Sequence, residues 1–406
     1  MKKFWTISII LVLVSAIIFS GSLFYYISET REDEATFDQL SPTEPTEKVE
    51  GNKTGGQVPA EFLDGGIFSK NYEKAYAYMQ SMSTEQMVGQ LIIGTCPADD
   101  SAKSLISKYA LSGLYFTDDN FYSMSVDEIK SAISSYQSSA KTPMIMSVEE
   151  EGGAVTALSD LDAFPDYDFA SPRDTFAEGG MDAVKEMETQ KATMLSSVGI
   201  NLNLSPVLDM AQEFTQIMYS RSLGGTVQDA SQYAKDATSI NQGKGVSVAL
   251  KHFPGYGTIP DTYEPVVVDD REKSIFETND FKPFEAGVDA GAHCVLVSNV
   301  FVESLDSSCI SSLSENTHKI LRNDIGFTGL IITDNLNNAD YSEYANGKDV
   351  YVQAVLAGND VIMVDEIEDA YTAILNAVND GTISSATLQQ ACMRVLAYKY
   401  TTGLLK

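Results

Sequence analysis

The chain has 406 residues and carries 27 Lys and Arg against 57 Asp and Glu, so its formal net charge is −30. This negative charge argues against binding to nucleic acid or docking on an anionic membrane surface, because both need a basic protein face. With 44% hydrophobic and 10% aromatic residues, the composition supports a large core and excludes a chain that is disordered throughout.

The first 28 residues predict a transmembrane anchor. Residues 4–27 carry no charged side chain, follow Lys2 and Lys3, and can cross a hydrocarbon core about 30 Å thick as a helix. The two lysines place the N-terminus inside, so the rest of the chain is expected to be extracytoplasmic. The alternative is a signal peptide cleaved near residues 20–22, which would release a secreted protein.

Residues 29–70 predict a flexible acidic linker. Acidic residues, Thr, Pro and Gly dominate residues 29–60, and apolar periodicity is lost there. The globular domain is therefore expected to span residues 71–406.

The globular domain alternates apolar runs of strand length with amphipathic helical segments. The predicted strands are residues 90–96, 112–117, 143–149, 200–208, 246–253, 293–299, 329–335 and 360–365. Helices are predicted between them, for example over residues 183–199 and 314–326, the latter with Ser314 and Gly326 as cap signals. Eight continuously apolar strands with intervening helices predict an α/β fold of the (β/α)8, TIM-like barrel type. A doubly wound open sheet is the alternative, but the first strand is not followed by the glycine-rich phosphate loop typical of that fold.

Cysteines and histidines are few. The four cysteines are scattered without a CxxC pair, and Cys96 and Cys294 lie in apolar runs, so buried free thiols are expected. Three histidines make a multi-His zinc site improbable.

Polar residues follow several of the predicted strands. These residues are Glu149, Glu150 and Glu151 after the third strand, Asp209 after the fourth, Lys251 and His252 at the end of the fifth, and Asp334 at the end of the seventh. Arg221 lies between the fourth and fifth strands, and Asp261 and Tyr263 follow the fifth. Because the carboxyl ends of barrel strands meet on one rim, which carries the active site in such enzymes, this set predicts a functional site.

Several of these segments resemble motifs of glycoside hydrolase family 3, and within it the single-domain β-N-acetylglucosaminidases (β-N-acetylhexosaminidases). The family's D-Q-E-G-G is similar to residues 149–153, its G-I-N-x-N-x-x-P-V-x-D to residues 199–209 and its R-S-F-G to residues 221–224. Its K-H-F-P-G-H-G is similar to residues 251–257, with Tyr256 in place of the second His. Its L-R-x-x-x-G-F-x-G-x-x-x-[ST]-D is matched by residues 321–334 and its A-G-x-D by residues 357–360.

The resemblance implies residue roles and a chemistry. Asp334 matches the catalytic nucleophile, which forms a covalent glycosyl-enzyme during hydrolysis with retention. Lys251, His252 and Arg221 match residues that hydrogen-bond the sugar hydroxyls; Glu149 stands where the family has a sugar-binding Asp, and Asp209 belongs to the same binding set. The expected substrate is an amino-sugar glycoside, such as one derived from the cell wall, with no metal or organic cofactor and a monomeric chain.

The sequence departs from the family at the proton-transfer residue. The family's general acid/base is a His in an Asp-Ser-His loop, whereas this chain has Asp261, Thr262 and Tyr263. A tyrosine with a pKa near ~10 shuttles protons poorly at neutral pH. Asp261, Tyr263 and the neighbouring Glu264 are the substitutes to consider. An Arg that the family places after E-G-G is also missing from residues 154–157.

Two functions follow from these observations. The leading hypothesis is hydrolysis of terminal β-N-acetylhexosaminyl glycosides. The alternative is a catalytically degenerate barrel that binds cell-wall glycans without hydrolysing them, because Tyr263 replaces the acid/base His.

Overall fold

The computed structural model describes residues 58–98, 101–260 and 266–406. The predicted anchor and most of the predicted linker lie outside these ranges, as do Asp261 and Tyr263. Within the described ranges, no helix combines the length and the apolar character that crossing a bilayer requires.

Eight parallel strands close into a barrel, as the sequence predicts. They are β1 (Ile92–Thr95), β2 (Gly113–Phe116), β3 (Ile145–Val148), β4 (Leu202–Asn203), β5 (Ser247–Phe253), β7 (Cys294–Val297), β9 (Leu330–Leu336) and β10 (Val361–Val364), and the barrel order is β1-β10-β9-β7-β5-β4-β3-β2. Pairing of Ile93 with both Gly113 and Met363 closes the ring between the first and last of these strands. Two further strands, β6 (Val268–Asp269) and β8 (Phe301–Val302), form a small parallel sheet beside the barrel.

Helices follow the strands around the barrel. The α-helices are α1 (Tyr72–Met79), α2 (Thr84–Gly89), α3 (Ala102–Tyr109), α4 (Val126–Ser139), α5 (Pro172–Val198), α6 (Val227–Gly243), α7 (Lys273–Ile275), α8 (Phe281–Asp289), α9 (Glu315–Lys319), α10 (Asn338–Tyr341), α11 (Val350–Ala357), α12 (Ile367–Asn379) and α13 (Ser385–Thr401). Phe276–Asp280 and Ile320–Asp324 are π-helical turns, and Ala60–Phe62, Ser69–Asn71, Asp118–Asn120, Ser311–Leu313 and Ser342–Tyr344 are 3-10 turns.

Capping side chains fix where several helices begin. Ser125 accepts the backbone N–H of Glu128, whose side chain returns to the Ser125 backbone, so α4 starts with a capping box. Thr226 and Asp229 form the same box at the start of α6. The predicted cap at Ser314 is present and starts α9. The predicted helix over residues 183–199 is the second half of α5, which ends at the left-handed Gly199.

The core fills the barrel and the layer between strands and helices. Every residue of β3, β5, β7 and β10 is buried, which is why these strands read as continuous apolar runs. The four cysteines are buried free thiols, as predicted. Part of the segment predicted as linker also packs on the domain, because Phe62 and Phe68 are buried before residue 71.

Candidate functional site

A charged cluster lies at the carboxyl ends of β3 and β5. The Lys251 Nζ atom, fully buried, lies 2.6 Å from Glu149 Oε1 and 2.6 Å from Glu151 Oε1. Arg221 reaches the same carboxylate of Glu151 with Nη2 at 2.6 Å and Nε at 2.9 Å. Two carboxylates and two cations therefore share one network, in which the charged hydrogen bonds hold each side chain in a single orientation.

Two members of this cluster are partly open to solvent. The side chains of Glu149 and Arg221 are 29% and 25% exposed, whereas Lys251 and Glu151 are not exposed. The exposed pair can therefore contact a ligand, while the buried pair holds it in position. Tyr115, near the end of β2, donates its hydroxyl to Glu149 Oε2 at 3.2 Å and adds a third strand to the site.

Electrostatics keep the cluster ionised. Burial opposes ionisation of Glu151, but the charges of Lys251 and Arg221 outweigh it and lower its pKa to about 2. Burial likewise opposes the charge of Lys251, yet Glu149 and Glu151 raise its pKa above the ordinary value. The cluster therefore carries fixed charges across the physiological pH range.

His252 and Asp209 form a second pair beside the cluster. His252 Nδ1 lies 2.7 Å from Asp209 Oδ2, and Asp209 Oδ1 accepts the backbone N–H of Tyr256 at 2.7 Å. His252 Nε2 lies 3.5 Å from Arg221 Nη2. With Nδ1 donating to Asp209, Nε2 is the acceptor on the Arg221 side, so Asp209 sets the orientation of the ring.

The loop after β5 needs its glycines. Gly255 and Gly257 have φ angles of +115° and +51°. A Cβ at Gly255 would lie 2.8 Å from Asp280 Oδ1, and one at Gly257 would lie 2.0 Å from the Arg271 guanidinium. Arg271 in turn donates to the carbonyl of Gly255 at 3.1 Å. The glycines let this loop lie against the Arg271 side chain, and the loop then carries Tyr256 into the site.

Asp334 lies in β9, on the same rim, and is half-buried. Its Oδ1 accepts the backbone N–H of Asn335 at 2.8 Å. Burial raises the pKa of the Tyr256 hydroxyl most, and the negative charge of Asp334 is the second-largest cause. It also contributes to the raised pKa of Tyr115, after burial and Glu149. Asp334 therefore faces the same space as the two tyrosines.

The structure brings together Glu149, Asp209, Arg221, Lys251 and His252, with Asp334 facing the same rim; their roles stay predictions. The expectation for Glu150 was wrong in one respect: it does not face the rim with its two neighbours. The three glutamates follow Val148, the last residue of β3, and the Glu150 side chain binds other partners than Glu149 and Glu151 do. Its carboxylate accepts the backbone N–H groups of Ala157, Leu158 and Ser159 at 3.1, 2.9 and 3.3 Å and anchors the loop after β3.

Sequence reasoning missed Tyr115 and gave Glu151 no role of its own. The sequence contained a sign of each residue. Tyr115 carries a hydroxyl group near the end of a predicted strand, and Glu151 lies two residues after Glu149. In extended backbone, a spacing of two residues puts both glutamates on one face.

Comparisons with known proteins agree with this geometry. The profile of the glycosyl hydrolase family 3 N-terminal domain matches residues 83–398. The chain belongs to glycoside hydrolase family 3. The predicted family is thereby confirmed, and the predicted enzyme class, a glycoside hydrolase, follows from it.

Relatives with assigned names are similar over most of the barrel. A beta-hexosaminidase of Xanthomonas campestris pv. campestris is 28% identical over 310 residues, which cover 73% of this chain and 90% of that protein. A beta-hexosaminidase of Stenotrophomonas maltophilia is 26% identical and covers 73% of this chain and 89% of its own length.

Solved structures share the fold. A family 3 beta-N-acetylglucosaminidase from a Paenibacillus species superposes with a TM-score of 0.72 and 25% identity over 80% of this chain. This chain spans 63% of that longer protein. The beta-N-acetylhexosaminidase of Beutenbergia cavernae superposes with a TM-score of 0.70 at 23% identity, and this chain covers 99% of its length. At this identity the similarity shows a shared fold.

Proposed function

We propose that the protein hydrolyses terminal β-N-acetylhexosaminyl glycosides with retention, through a covalent intermediate on Asp334. The observation that carries the proposal is the position of Asp334 at the end of β9, facing the rim where the Lys251 cluster presents Glu149 and Arg221. A carboxylate placed there can attack the anomeric carbon of a sugar whose hydroxyls bind the cluster. The names of the relatives support an amino sugar as the substrate.

In this proposal, each residue of the site binds the sugar, positions another residue or transfers a proton. Glu149 and Arg221 bind sugar hydroxyls, because charged partners give strong and directional hydrogen bonds. Lys251, itself buried, fixes the Glu149 carboxylate. His252, oriented by Asp209, contacts a further hydroxyl. Asp261 and Tyr263 are the residues proposed to transfer the proton to the leaving group and then to take one from water.

The experiment compares two substrates that differ in their need for an acid. N-acetyl-β-glucosaminyl fluoride loses fluoride without protonation, whereas an alkyl N-acetyl-β-glucosaminide needs a proton on the leaving oxygen. Asp334→Asn is expected to lower kcat on both substrates by at least roughly 10⁴-fold, because the proposed intermediate forms on this carboxylate. Glu343→Gln, which changes an exposed carboxylate on the loop after β9, is the matched control and is expected to leave both rates unchanged.

The outcomes separate the two functions. If the wild type hydrolyses the fluoride rapidly and the alkyl glycoside slowly, the slow step is proton transfer to the leaving group. General acid catalysis contributes about 10²–10⁴-fold to the rate of such a step. Background rates of the wild type and Asp334→Asn on both substrates would contradict the proposal, and glycan binding that persisted would then favour the degenerate barrel. Proton NMR of the first-formed sugar tests retention, which requires the β-anomer.

We also propose that residues 1–28 anchor the protein in the membrane with the barrel on the extracytoplasmic side. The support is the uncharged run of residues 4–27 behind Lys2 and Lys3. Fractionation of expressing cells tests it: full-length protein is expected in the membrane fraction, and a shortened chain in the medium would show a cleaved signal peptide instead.

A further inference from the structure

Lys191 is a buried lysine that the proposed chemistry does not use. It lies on α5, and like Lys251 and Lys399 it has no surface exposed to solvent. Lysine side chains are almost never fully buried unless their charge is paired. The partners of Lys191 therefore bear on its role.

Lys191 forms an ion pair with Glu188, one turn earlier on the same helix. The Lys191 Nζ atom lies 2.6 Å from Glu188 Oε1, and Glu188 is buried as well. Helix α6 supplies two more partners of this carboxylate: the Tyr233 hydroxyl donates to Oε1 at 3.1 Å, and Asn241 Nδ2 donates to Oε2 at 2.8 Å. Both oxygens of Glu188 are bound, so the pair is fixed where α5 and α6 meet.

The ammonium group of Lys191 also donates to the backbone carbonyl of Glu151 at 3.0 Å. This bond connects helix α5 to the charged cluster at the rim. Stability alone is a weak reason for a buried ion pair, because replacing such a pair by apolar residues is often neutral or stabilising. The bond to Glu151 gives the pair a second role, at the site.

The main chain of Glu150 and Glu151 is held at each of its polar atoms. Asn203, on β4, accepts the Glu150 N–H with Oδ1 at 2.9 Å and donates to the Glu150 carbonyl from Nδ2 at 2.9 Å. The Glu151 N–H donates to the carbonyl of Val155 at 3.0 Å, and the Glu151 carbonyl accepts from Lys191. Lys191 is the charged partner among these three residues, so its bond is the strongest of the four.

The carboxylate of Glu151 binds both cations of the charged cluster. Its Oε1 lies 2.6 Å from Lys251 Nζ and accepts from Arg221 Nη2 at 2.6 Å, while Oε2 accepts from Arg221 Nε at 2.9 Å. A two-point contact with a carboxylate fixes the plane of a guanidinium. A shift of the Glu151 main chain would therefore turn Arg221, which is partly exposed and is proposed to bind the sugar.

We propose that Lys191 is a positioning residue: it holds the Glu151 main chain and so sets the orientation of Arg221 and Lys251 at the sugar site. This inference rests on the proposed function. Lys191 does not touch the sugar and acts through Glu151. Glu188 supplies the opposite charge that the buried ammonium group requires.

The test compares two substitutions that break the same ion pair. Lys191→Met removes the bond to the Glu151 carbonyl, whereas Glu188→Gln leaves the amino group in place to make it. For both full-length variants, kcat/KM on N-acetyl-β-glucosaminyl fluoride is measured per folded molecule. Lys191→Met is expected to lower kcat/KM roughly 10-fold, the scale of one hydrogen bond from a charged group, and Glu188→Gln to lower it by less than about threefold. An equal fall in both variants would show that the pair serves the fold alone and would overturn the proposal.

The matched control is Lys399→Met. Lys399 is also fully buried and also donates to a backbone carbonyl, that of Ser112 at 3.1 Å, but it lies at the other end of the strands. This variant is expected to keep the wild-type kcat/KM. A loss as large as that in Lys191→Met would mean that removing any buried lysine lowers activity, and the positioning role would fail.

A double-mutant cycle tests the route through Arg221. Arg221→Ala removes the guanidinium that Lys191 is proposed to orient, so Lys191→Met should then lower kcat/KM only about threefold further. Effects of independent residues multiply, so an undiminished fall in the Arg221→Ala background would contradict the proposal.

Lys191→Met leaves Glu188 buried without its counter-ion. If this variant does not fold, the double variant Lys191→Met with Glu188→Gln replaces it, because it removes both charges and should show the same loss of kcat/KM. If the wild type does not hydrolyse the fluoride, the proposed function fails, and crystal structures of the wild type and the double variant test the positioning role by itself. The variant is expected to lose the two-point contact between Arg221 and Glu151, and an unchanged contact would overturn the inference.

Discussion

Two of the three fully buried lysines among the described residues, Lys251 and Lys399, lie at opposite ends of the barrel, and their surroundings differ. Lys251, near the end of β5, lies 2.6 Å from the carboxylates of both Glu149 and Glu151. Lys399, on α13, donates to the side chain of Gln90 at 2.7 Å and to the carbonyl of Ser112 at 3.1 Å, just before β1 and β2. One lysine has two anionic partners and the other has neutral acceptors.

The two environments move the lysine pKa in opposite directions. Burial lowers the pKa of Lys399 to about 7, because its neutral acceptors do not compensate the lost hydration. At Lys251 the carboxylates of Glu149 and Glu151 outweigh burial and raise the pKa. The end of the barrel with the Lys251 cluster therefore keeps full charges at buried positions, whereas the opposite end holds a lysine that loses its charge near neutral pH.

The opposite end of the barrel also contains a cluster of charged side chains, and this cluster holds elements of the fold together. The Asp360 carboxylate binds Arg322 at 2.6 Å, contacts Arg394 and accepts the backbone N–H of Ile331 at 2.8 Å. Arg394 also lies 3.7 Å from Asp64, in the segment before α1. This cluster joins β9, β10, α13 and the N-terminal segment, and its charged groups bind one another.

Of the substitutions that compare the two ends of the barrel, Lys251→Met should have the largest effect, because it lowers both activity and stability. The substitution removes the cation that lies 2.6 Å from both Glu149 and Glu151 and leaves Arg221 as their remaining cation. Breaking such a buried pair costs about 3–5 kcal/mol of unfolding free energy. Because Glu149 also loses its position, kcat/KM should fall roughly 10- to 100-fold. Urea denaturation and steady-state kinetics measure the two effects.

A double variant, Lys251→Met with Glu151→Gln, serves as the control. It should recover part of the stability and none of the activity. Full activity in the single variant would show that the cluster does not position the substrate.

Asp360→Asn should separate the two ends of the barrel. It replaces the carboxylate that Arg322 and Arg394 share with a neutral amide and leaves Arg394 only its longer contact with Asp64, so the unfolding free energy should again fall by about 3–5 kcal/mol. The specific activity of the folded protein should stay at the wild-type value, because this cluster is at the other end of the strands. Denaturation curves and activity per folded molecule are the measurements. A large loss of kcat would mean that the two ends are coupled.

Lys399→Met should have the smallest effect, and the effect should depend on pH. Lys399 titrates near pH 7 in the folded chain and near ~10.4 in the unfolded chain, so between these values the unfolded state binds one more proton. Wild-type stability therefore gains about 1.4 kcal/mol per pH unit from this residue above pH 7. The variant lacks that gain.

The measurement is the unfolding free energy of both proteins at pH 7, 8 and 9. The stability of Lys399→Met relative to wild type should be most favourable at pH 7 and should decline as the pH rises. A difference that stays constant over this range would show that Lys399 keeps its proton in the folded protein.

The barrel itself could be predicted because its strands are buried on both faces. Each of the eight apolar runs overlaps one barrel strand, and the continuous hydrophobic pattern is what a parallel sheet covered by helices requires. The boundaries were less accurate. In the run over residues 200–208, β4 takes up only two residues, and Pro206, which lacks a backbone N–H, lies between β4 and a separate parallel bridge that joins Val207 to Lys251.

The charged set at the rim could be predicted from the parallel topology, since strand ends meet there. Which side chain meets which could not. Glu149 and Glu151 reach Lys251, whereas Glu150 binds the loop of residues 157–159, and the path of the chain beyond the end of β3 decides this. The chain likewise gave no sign that Arg322 and Arg394 would share Asp360, because such contacts join distant segments.

The amino-acid sequence by itself determined the family, the barrel and the residue types at its rim, because local hydrophobic patterns and short motifs encode them. The tertiary structure decided whether Lys251 and Lys399 keep their charge and which glutamates reach Lys251 at the rim. Those properties depend on distances between segments far apart in the chain, and only the closed barrel sets these distances.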